Sequence, residues 1–240
     1  MLSLPIVNTD STYEIRPSKI IALGQNYLDH IAESLSVKVQ GLTTDKPSEP
    51  VLFPKTPNVL IGNGEAIVIP AFLDDYHFED PRVDYEAELA FVVLDECKNV
   101  RPEDAYTHIF AFTCMNDVSQ RNVQNGDRSG WFRGKSFDTF GPVGPVLVRM
   151  EDIGDPQDLR IECRLNGTTV QSSNTGHMIF DIKETFAFIS RNFTLLPGDI
   201  VTTGTPSGVG RLRHGDVIEV EIEKIGVLSN PVVEENQSEQ

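Results

Sequence analysis

Basic residues are in short supply. The chain has 20 Lys and Arg against 36 Asp and Glu, a net charge of −16. Nucleic-acid phosphates are held by Lys and Arg, so no nucleic-acid partner is expected. The imbalance favours solubility and says little about the fold. Cysteine is also scarce. Cys97, Cys114 and Cys163 are an odd number, widely spaced, with no C-x-x-C pair. That fits buried thiols in a reducing compartment, not a disulfide framework. No apolar run is long enough to cross a bilayer, and the N-terminal Met1-Leu2-Ser3-Leu4-Pro5 has no basic region leading into a long apolar one. A cytoplasmic protein without a membrane partner is the expectation. There is no internal repeat.

At 240 residues the chain suits one domain with a sizeable core. Its apolar content, 39%, is somewhat low but well distributed. The divisions expected are an N-terminal strand and lid segment over 1–50, a β-rich domain over 51–231 and a polar tail over 232–240. Short strands read at Ile20-Ile21-Ala22-Leu23, Val51 to Lys55 and Ala66 to Ile69. A fully buried strand, Ile109 to Met115, delivers Asn116 and Asp117 at its end. A hairpin turns at Asn166-Gly167. Asp181 and Glu184 form a capping box for a helix whose Ile182, Phe186, Ile189 and Phe193 face the core.

The most informative stretch is Val83 to Val93. Val83, Tyr85, Ala87, Leu89, Phe91 and Val93 alternate, so a strand puts them on one face. The other face begins Asp84, Glu86, Glu88 and turns apolar at Ala90. Three carboxylates in a row need water, protonation or a cation. A solvated acidic face is the plain alternative. The same spacing recurs at Glu219, Glu221 and Glu223, where no cationic cluster follows in sequence, so spacing alone decides nothing.

Other candidates also carry two readings. Asn26 would cap a short helix bearing His30 and Glu33 on one face. That pair is either exposed and ordinary or part of a site. Residues 34–50 read as a mobile loop of the kind that forms lids. Asp117, Arg121 and Gln124 fall in one arc if helical, or Asp117 and Arg121 merely form a surface pair. Gly134 permits close backbone approach, and Lys135 either snorkels or serves a site. The loop Gly204-Thr205-Pro206-Ser207-Gly208-Val209-Gly210 has free amides suited to a carboxylate but lacks the lysine of a phosphate-binding loop. His77, His108, His177 and His214 have no partners at metal-ligand spacing and read as structural or surface residues.

Five segments together resemble the fumarylacetoacetate hydrolase family. They are Gly24-Gln25-Asn26-Tyr27-Leu28-Asp29-His30-Ile31-Ala32-Glu33, Tyr85-Glu86-Ala87-Glu88-Leu89-Ala90, Met115-Asn116-Asp117 through Gln124, Gly134-Lys135-Ser136 through Pro142, and Thr203-Gly204-Thr205-Pro206-Ser207-Gly208. The resemblance runs from about Lys19 to about Pro231. It implies an α+β, β-dominated fold of packed mixed sheets, a β-sandwich roll with a few short helices, usually as a homodimer. It implies Mg²⁺ or Mn²⁺ on Glu86, Glu88 and Asp117, and substrate on Arg121, Gln124, Lys135, Gly204 and Thr205. His30 and Glu33 match a lid pair that handles water and protons, and Lys135 would join them in catalysis. Gln25, Ser119 and Asn122 depart from the family pattern.

Three carboxylates suit a hard divalent ion, and Zn²⁺ is disfavoured without His or Cys. The implied chemistry is metal-dependent C–C cleavage of a short 2,4-dioxo acid, as in acylpyruvate hydrolysis, or oxaloacetate decarboxylation, through a pyruvate enolate. The alternative is an isomerase or decarboxylase of a 2-hydroxy-dienedioate in aromatic catabolism, and the isomerisation needs only proton movement over the same chelate. A non-catalytic, metal-dependent metabolite-binding protein is the alternative of another class.

Overall fold

The structure, a computed structural model, describes residues 2–33, 46–128 and 131–235, the side chains of Ala32 and Glu33 excepted. Most of the expected lid, 34–45, therefore lies outside the described residues. The strands are β1 (Ser3–Pro5), β2 (Thr12–Glu14), β3 (Ile20–Gly24), β4 (Val51–Lys55), β5 (Leu60–Ile61), β6 (Ile67–Ile69), β7 (Val83–Tyr85), β8 (Ala87–Val93) and β9 (Ile109–Asn116). They continue with β10 (Ser119–Gln120), β11 (Gly141–Arg149), β12 (Arg160–Leu165), β13 (Thr168–Asn174), β14 (Ile200–Thr202), β15 (Gly210–Arg211), β16 (Val217–Ile222) and β17 (Gly226–Glu234).

Seven strands form the main sheet in the order β4-β3-β14-β8-β9-β11-β5, and five form a second, β13-β12-β16-β17-β6. Both are mixed: β3–β14, β5–β11 and β6–β17 run parallel within otherwise antiparallel ladders. Alternation along the strands explains how the sheets stack. Ala87, Leu89, Phe91 and Val93 of β8 share one core with Ile218, Val220 and Ile222 of β16, so this core fills the space between the two sheets. Ala90 and Val92 turn to a smaller core on the main sheet's other face, beneath Leu4 and Ile6. Being buried on both faces is why β8 is apolar almost throughout.

The hairpin forms at Asn166 and Gly167, both with positive φ (51° and 78°), the geometry a two-residue turn requires. The capping box also forms, and it starts the helix Ile182–Asn192. Phe193 corrects the expected periodicity. The backbone turns extended there, and the ring is 46% exposed instead of continuing the buried stripe. The polar tail also starts later than expected, because β17 runs to Glu234 with Val232 in the core.

The stretch 83–93 is two strands, not one. β7 pairs with β10 and β15, and β8 pairs with β9 and β14. Glu86 stands at the break: its N–H donates to Asn116 Oδ1 (2.9 Å) and its carbonyl accepts from Asp117 N–H (2.9 Å). A side chain and the end of β9 thus replace regular pairing at this residue.

Candidate active site

Asp84, Glu86 and Glu88 are all buried, which removes the solvated-face reading. The matched strand β16 behaves differently. Glu219 and Glu221 are half-buried, Glu223 is exposed, and the arginines of neighbouring β12 meet them. Arg164 reaches Glu219 (3.0 Å) and Glu221 (2.5 Å), and Arg160 reaches Glu221 (3.2 Å). Cationic support is present there after all, from across the sheet instead of downstream in sequence.

Glu86, Glu88 and Asp117 each offer a carboxylate oxygen, and these oxygens all lie within 4.8 Å of one another. β9 brings Asp117, fully buried, beside the start of β8. Four cations surround the acids. Lys135 Nζ donates to Glu86 Oε2 (2.6 Å) and Asp117 Oδ2 (2.7 Å). Arg121 spans Glu86 Oε1 (2.5 Å) and Asp84 Oδ2 (2.8 Å). Arg82 adds a second cation to Asp84 (2.7 Å), and Lys55 adds one to Asp117 (2.5 Å). Among the described residues no cation contacts Glu88. Its Oε2 accepts from Gly204 N–H (2.8 Å), and its Oε1 is buried with no partner.

The electrostatics follow this division. Burial raises the Glu86 carboxyl, but Arg121, Lys135 and His30 outweigh it and hold the group well below the usual range. Burial, then Asp117 and Glu86, push Glu88 well above that range. Burial lowers Lys55 more than Asp117 can restore. Lys135 is also penalised by burial, yet Asp117 and Glu86 keep it above its ordinary value. The Tyr27 phenol is raised by burial and then by Glu88.

The supporting scaffold is specific. Arg121 begins a short helix, Arg121–Gly126, so Asp117 lies outside it, and neither the single helical arc of Asp117, Arg121 and Gln124 nor the alternative Asp117–Arg121 surface pair is formed. Instead Arg121 Nη1 donates to Gln124 Oε1 (3.0 Å). Asn122 bonds to Arg82 N–H, Gln120 and the Asp80 carbonyl, tying down the 80–82 segment. Gly134 shows what its missing side chain allows: an added Cβ would sit 2.6 Å from Gln124 N and 2.8 Å from the Gln120 carbonyl. The two short helices can approach only with glycine there, and this places Lys135 on the acids.

Asn26 does not cap the lid helix. Its side chain bonds to Phe180 and to the Thr203 carbonyl (2.8 Å), joining the segment before helix Leu28–Glu33 to the loop after β14. Gly204, with φ at 89°, presents its N–H to Glu88. Thr205 Oγ1 accepts from Gln171 (2.9 Å). His30 joins Glu86, Glu88, Lys135, Arg121 and Thr205 around a cavity of about 20 Å³. That is room for about one water-sized species. Gln25 also lines the cavity, held at φ 59° with a buried Nε2 that has no partner. Glu33 lies on helix Leu28–Glu33 with His30, as expected, and its side chain lies outside the described residues.

Several of these roles escape the sequence. Lys55 reads as an ordinary strand end, Asn116 as a terminus, and Gln171 as a hairpin residue. Gln171 in fact ties Ala87 N–H, Thr205 and the Pro206 carbonyl together. No local pattern announces it. Asp84, without an assignable role in sequence, holds Arg121 and Arg82.

The residues fit a divalent cation. The donor set is all oxygen, as hard cations prefer, and Glu88 carries a buried acceptor with no partner.

The chain matches the family model described as Fumarylacetoacetate (FAA) hydrolase C-terminal over residues 19–233. It is 44% identical to the mitochondrial oxaloacetate tautomerase fahd2 of Xenopus laevis, covering 90% of this chain and 66% of the relative. A 5-carboxymethyl-2-hydroxymuconate delta-isomerase of Mycobacterium smegmatis superposes with a TM-score of 0.80 at 36% identity, covering 95% and 87% of the two chains. Fumarylpyruvate hydrolase of Pseudomonas aeruginosa, in complex with Mn²⁺ and pyruvate, superposes with a TM-score of 0.83 at 28% identity, covering 98% and 96%. No helix among the described residues is long and apolar enough to cross a membrane.

Proposed function

Because the chain belongs to the fumarylacetoacetate hydrolase family over residues 19–233, we propose that it is a Mg²⁺- or Mn²⁺-dependent enzyme acting on a short 2-oxo diacid through its enolate. Keto–enol interconversion of oxaloacetate is the reaction favoured. The observation that carries the reading is the buried, cation-free Glu88 beside Glu86 and Asp117. These three residues would hold the ion. When bound, the ion supplies Lewis-acid stabilisation of negative charge on the 2-oxo oxygen.

The chain's own residues do the rest. Arg121 and Lys135 now neutralise the acids. With a divalent charge on those acids, both cations become available to an anionic substrate. Lys135 adds positive charge beside the developing oxyanion. Gln124, Thr205 and the 204–205 backbone orient the carboxylates. His30, lining the same cavity, takes the C3 proton as the C2–C3 double bond forms. It returns that proton to the oxygen to give the enol. Ketonisation is the reverse.

Interconversion is favoured over acylpyruvate hydrolysis because it needs no activated water. The tautomerase and isomerase likenesses, at 44% and 36% identity, also point to proton movement. C–C cleavage of an acylpyruvate or of oxaloacetate is the second reading. It is supported by the likeness to fumarylpyruvate hydrolase over 96% of that chain.

The test is a panel with Mg²⁺ and Mn²⁺ over oxaloacetate, acetylpyruvate, fumarylpyruvate and a hydroxymuconate. Loss of the oxaloacetate enol is followed in the ultraviolet, and pyruvate release is measured in parallel. Enol conversion without pyruvate supports the first reading, and stoichiometric pyruvate supports the second. Activity that survives exhaustive chelation, or that is undiminished in Glu86→Ala, overturns both.

A further inference from the structure

A second set of ligating side chains converges away from the acidic site. Asp95, Cys97 and His108 each offer one ligand atom, and the three atoms lie within 4.8 Å of one another. His108 Nδ1 is 2.7 Å from Asp95 Oδ1. Asp95 and Cys97 come from the segment leaving β8, and His108 closes the 3-10 helix Pro102–His108 that leads into β9. Glu88 lies near the start of β8, so at about 3.4 Å per residue the two clusters are about 20 Å apart.

The backbones carrying these ligands are fixed. Leu94 N–H donates to the His108 carbonyl (2.8 Å), and Cys97 and Leu195 exchange both backbone hydrogen bonds at 3.0 Å. The His108 ring stacks on buried Phe186 (21° between planes). Asp95 is exposed and His108 half-buried, so solvent reaches the ligands, while Cys97 forms the buried floor. Preorganisation of this kind lets a small side-chain adjustment complete a site.

We propose that Asp95, Cys97 and His108 form a second cation site, selective for zinc-class divalent ions. The donor set is one thiol, one imidazole and one carboxylate, which suits a borderline-soft ion with water completing a tetrahedron. Bonds of about 2.0–2.3 Å place tetrahedral ligands roughly 3.3–3.7 Å apart. The Asp95–His108 pair therefore opens by about 1 Å or less, exchanging its hydrogen bond for two metal bonds. Binding breaks the Cys97 S–H bond, forms a sulfur–metal bond and passes the proton to solvent. Burial, then Asp95 and Asp199, hold that thiol up at about 11 in the metal-free protein, so an ion has to displace a firmly held proton there. Mg²⁺ prefers the all-oxygen cluster, and the two sites sort their ions by hardness. An ion here ties the end of β8 to the helix before β9.

The test uses the full chain with excess Mg²⁺ present and Co²⁺ as the probe. A sulfur-to-cobalt charge-transfer band should saturate at one equivalent. It should vanish in Cys97→Ser, and persist in Cys163→Ser and in Glu86→Gln, which separates this site from the proposed active site. Loss of even an outer-shell partner costs about 10–100-fold in metal affinity, so Asp95→Asn should weaken Co²⁺ binding at least about tenfold. The exposed Asp95 keeps the test open even if Cys97→Ser folds poorly. A band that is absent, that survives Cys97→Ser, or whose affinity is undiminished in Asp95→Asn overturns the proposal.

Discussion

Glu88→Gln separates what the acidic cluster does to the fold from what it does for a cation. The substitution keeps shape and removes one charge. The new amide oxygen can still accept from Gly204 N–H, and its NH₂ replaces the partnerless Oε1. Among Glu86 and Asp117, whose oxygens lie within 4.8 Å, that NH₂ finds acceptors. The metal-free fold should therefore gain. Glu88 is raised in the folded state, first by burial and then by Asp117 and Glu86. The sign follows. Stability from the neutral carboxyl is fully present below its unfolded pKa, about 4.3, and is lost as pH rises through the folded value. Each unit between the two amounts to about 1.4 kcal/mol. The amide does not titrate, so this loss is absent from the variant, and at pH 8 without metal the variant should be the more stable protein. With metal the order reverses. A cation at 100 times its Kd stabilises the wild type by about 2.7 kcal/mol, or roughly 5–10 °C in Tm for a chain of this size. A 100-fold weaker variant gains only about 0.4 kcal/mol at the same concentration. Thermal unfolding from pH 5 to 8, with and without Mn²⁺, reads both effects. A variant that responds to Mn²⁺ as the wild type does, or that is less stable than the wild type at pH 8 in chelator, would refute the reasoning.

Two other substitutions probe the scaffold. Lys55→Met removes a wholly buried ammonium from Asp117. Breaking a buried pair costs about 3–5 kcal/mol, and because Lys135 still meets Asp117, the loss in urea denaturation should lie near the lower end. A loss under about 1 kcal/mol would show that the pair is dispensable. Gly134→Ala forces the Lys135 helix off the Gln120–Gln124 backbone. Misplacement by about 1 Å can cost about 100-fold in rate, so kcat/KM on the productive substrate should fall by that order while Mn²⁺-induced stabilisation persists. Unchanged kcat/KM would dissociate Lys135 placement from this contact.

What was legible in the sequence is what is periodic or local. The Ile182–Asn192 helix carries its own capping box, the hairpin carries Asn166-Gly167, and alternation along β8 marks two faces that the structure fills with two cores. Contacts between residues far apart in the chain were not legible. The Asn26 side chain reads as a helix cap because capping is local chemistry, yet it bonds 154 and 177 residues away. Lys55 and Asp117 are 62 apart, Gln171 and Ala87 84 apart. His108 shows no ligand spacing because Asp95 lies 13 residues before it, brought alongside by the connection between β8 and β9. The break at Glu86 was hidden too, since the residue pattern continues through it and only the hydrogen bonds to Asn116 and Asp117 interrupt the ladder.

The two Glu-x-Glu strands show why spacing cannot identify a cation site. On β16 the arginines of one neighbouring strand meet Glu219 and Glu221 near solvent, where such pairs contribute little and need no further ion. Around β8 the charges are buried, and a buried charge without a partner is far more costly. Asp84, Glu86 and Asp117 each have two cationic partners. Glu88 sits in the same environment, accepts from Gly204 N–H, and has no cationic partner among the described residues. Four side-chain cations already balance four carboxylates in number, so the shortfall at Glu88 is one of position, not of total charge. Lys135 cannot correct it while it bridges Glu86 and Asp117. An ion held where the oxygens of Glu86, Glu88 and Asp117 lie within 4.8 Å of one another would meet all three carboxylates at once. Its charge then lets Lys135 and Arg121 turn to an anionic substrate, so binding of the ion should precede and strengthen binding of the acid. Oxalate titrated into chelated protein should accordingly bind at least about tenfold more weakly than into Mn²⁺-loaded protein, within the usual range of coupling between sites.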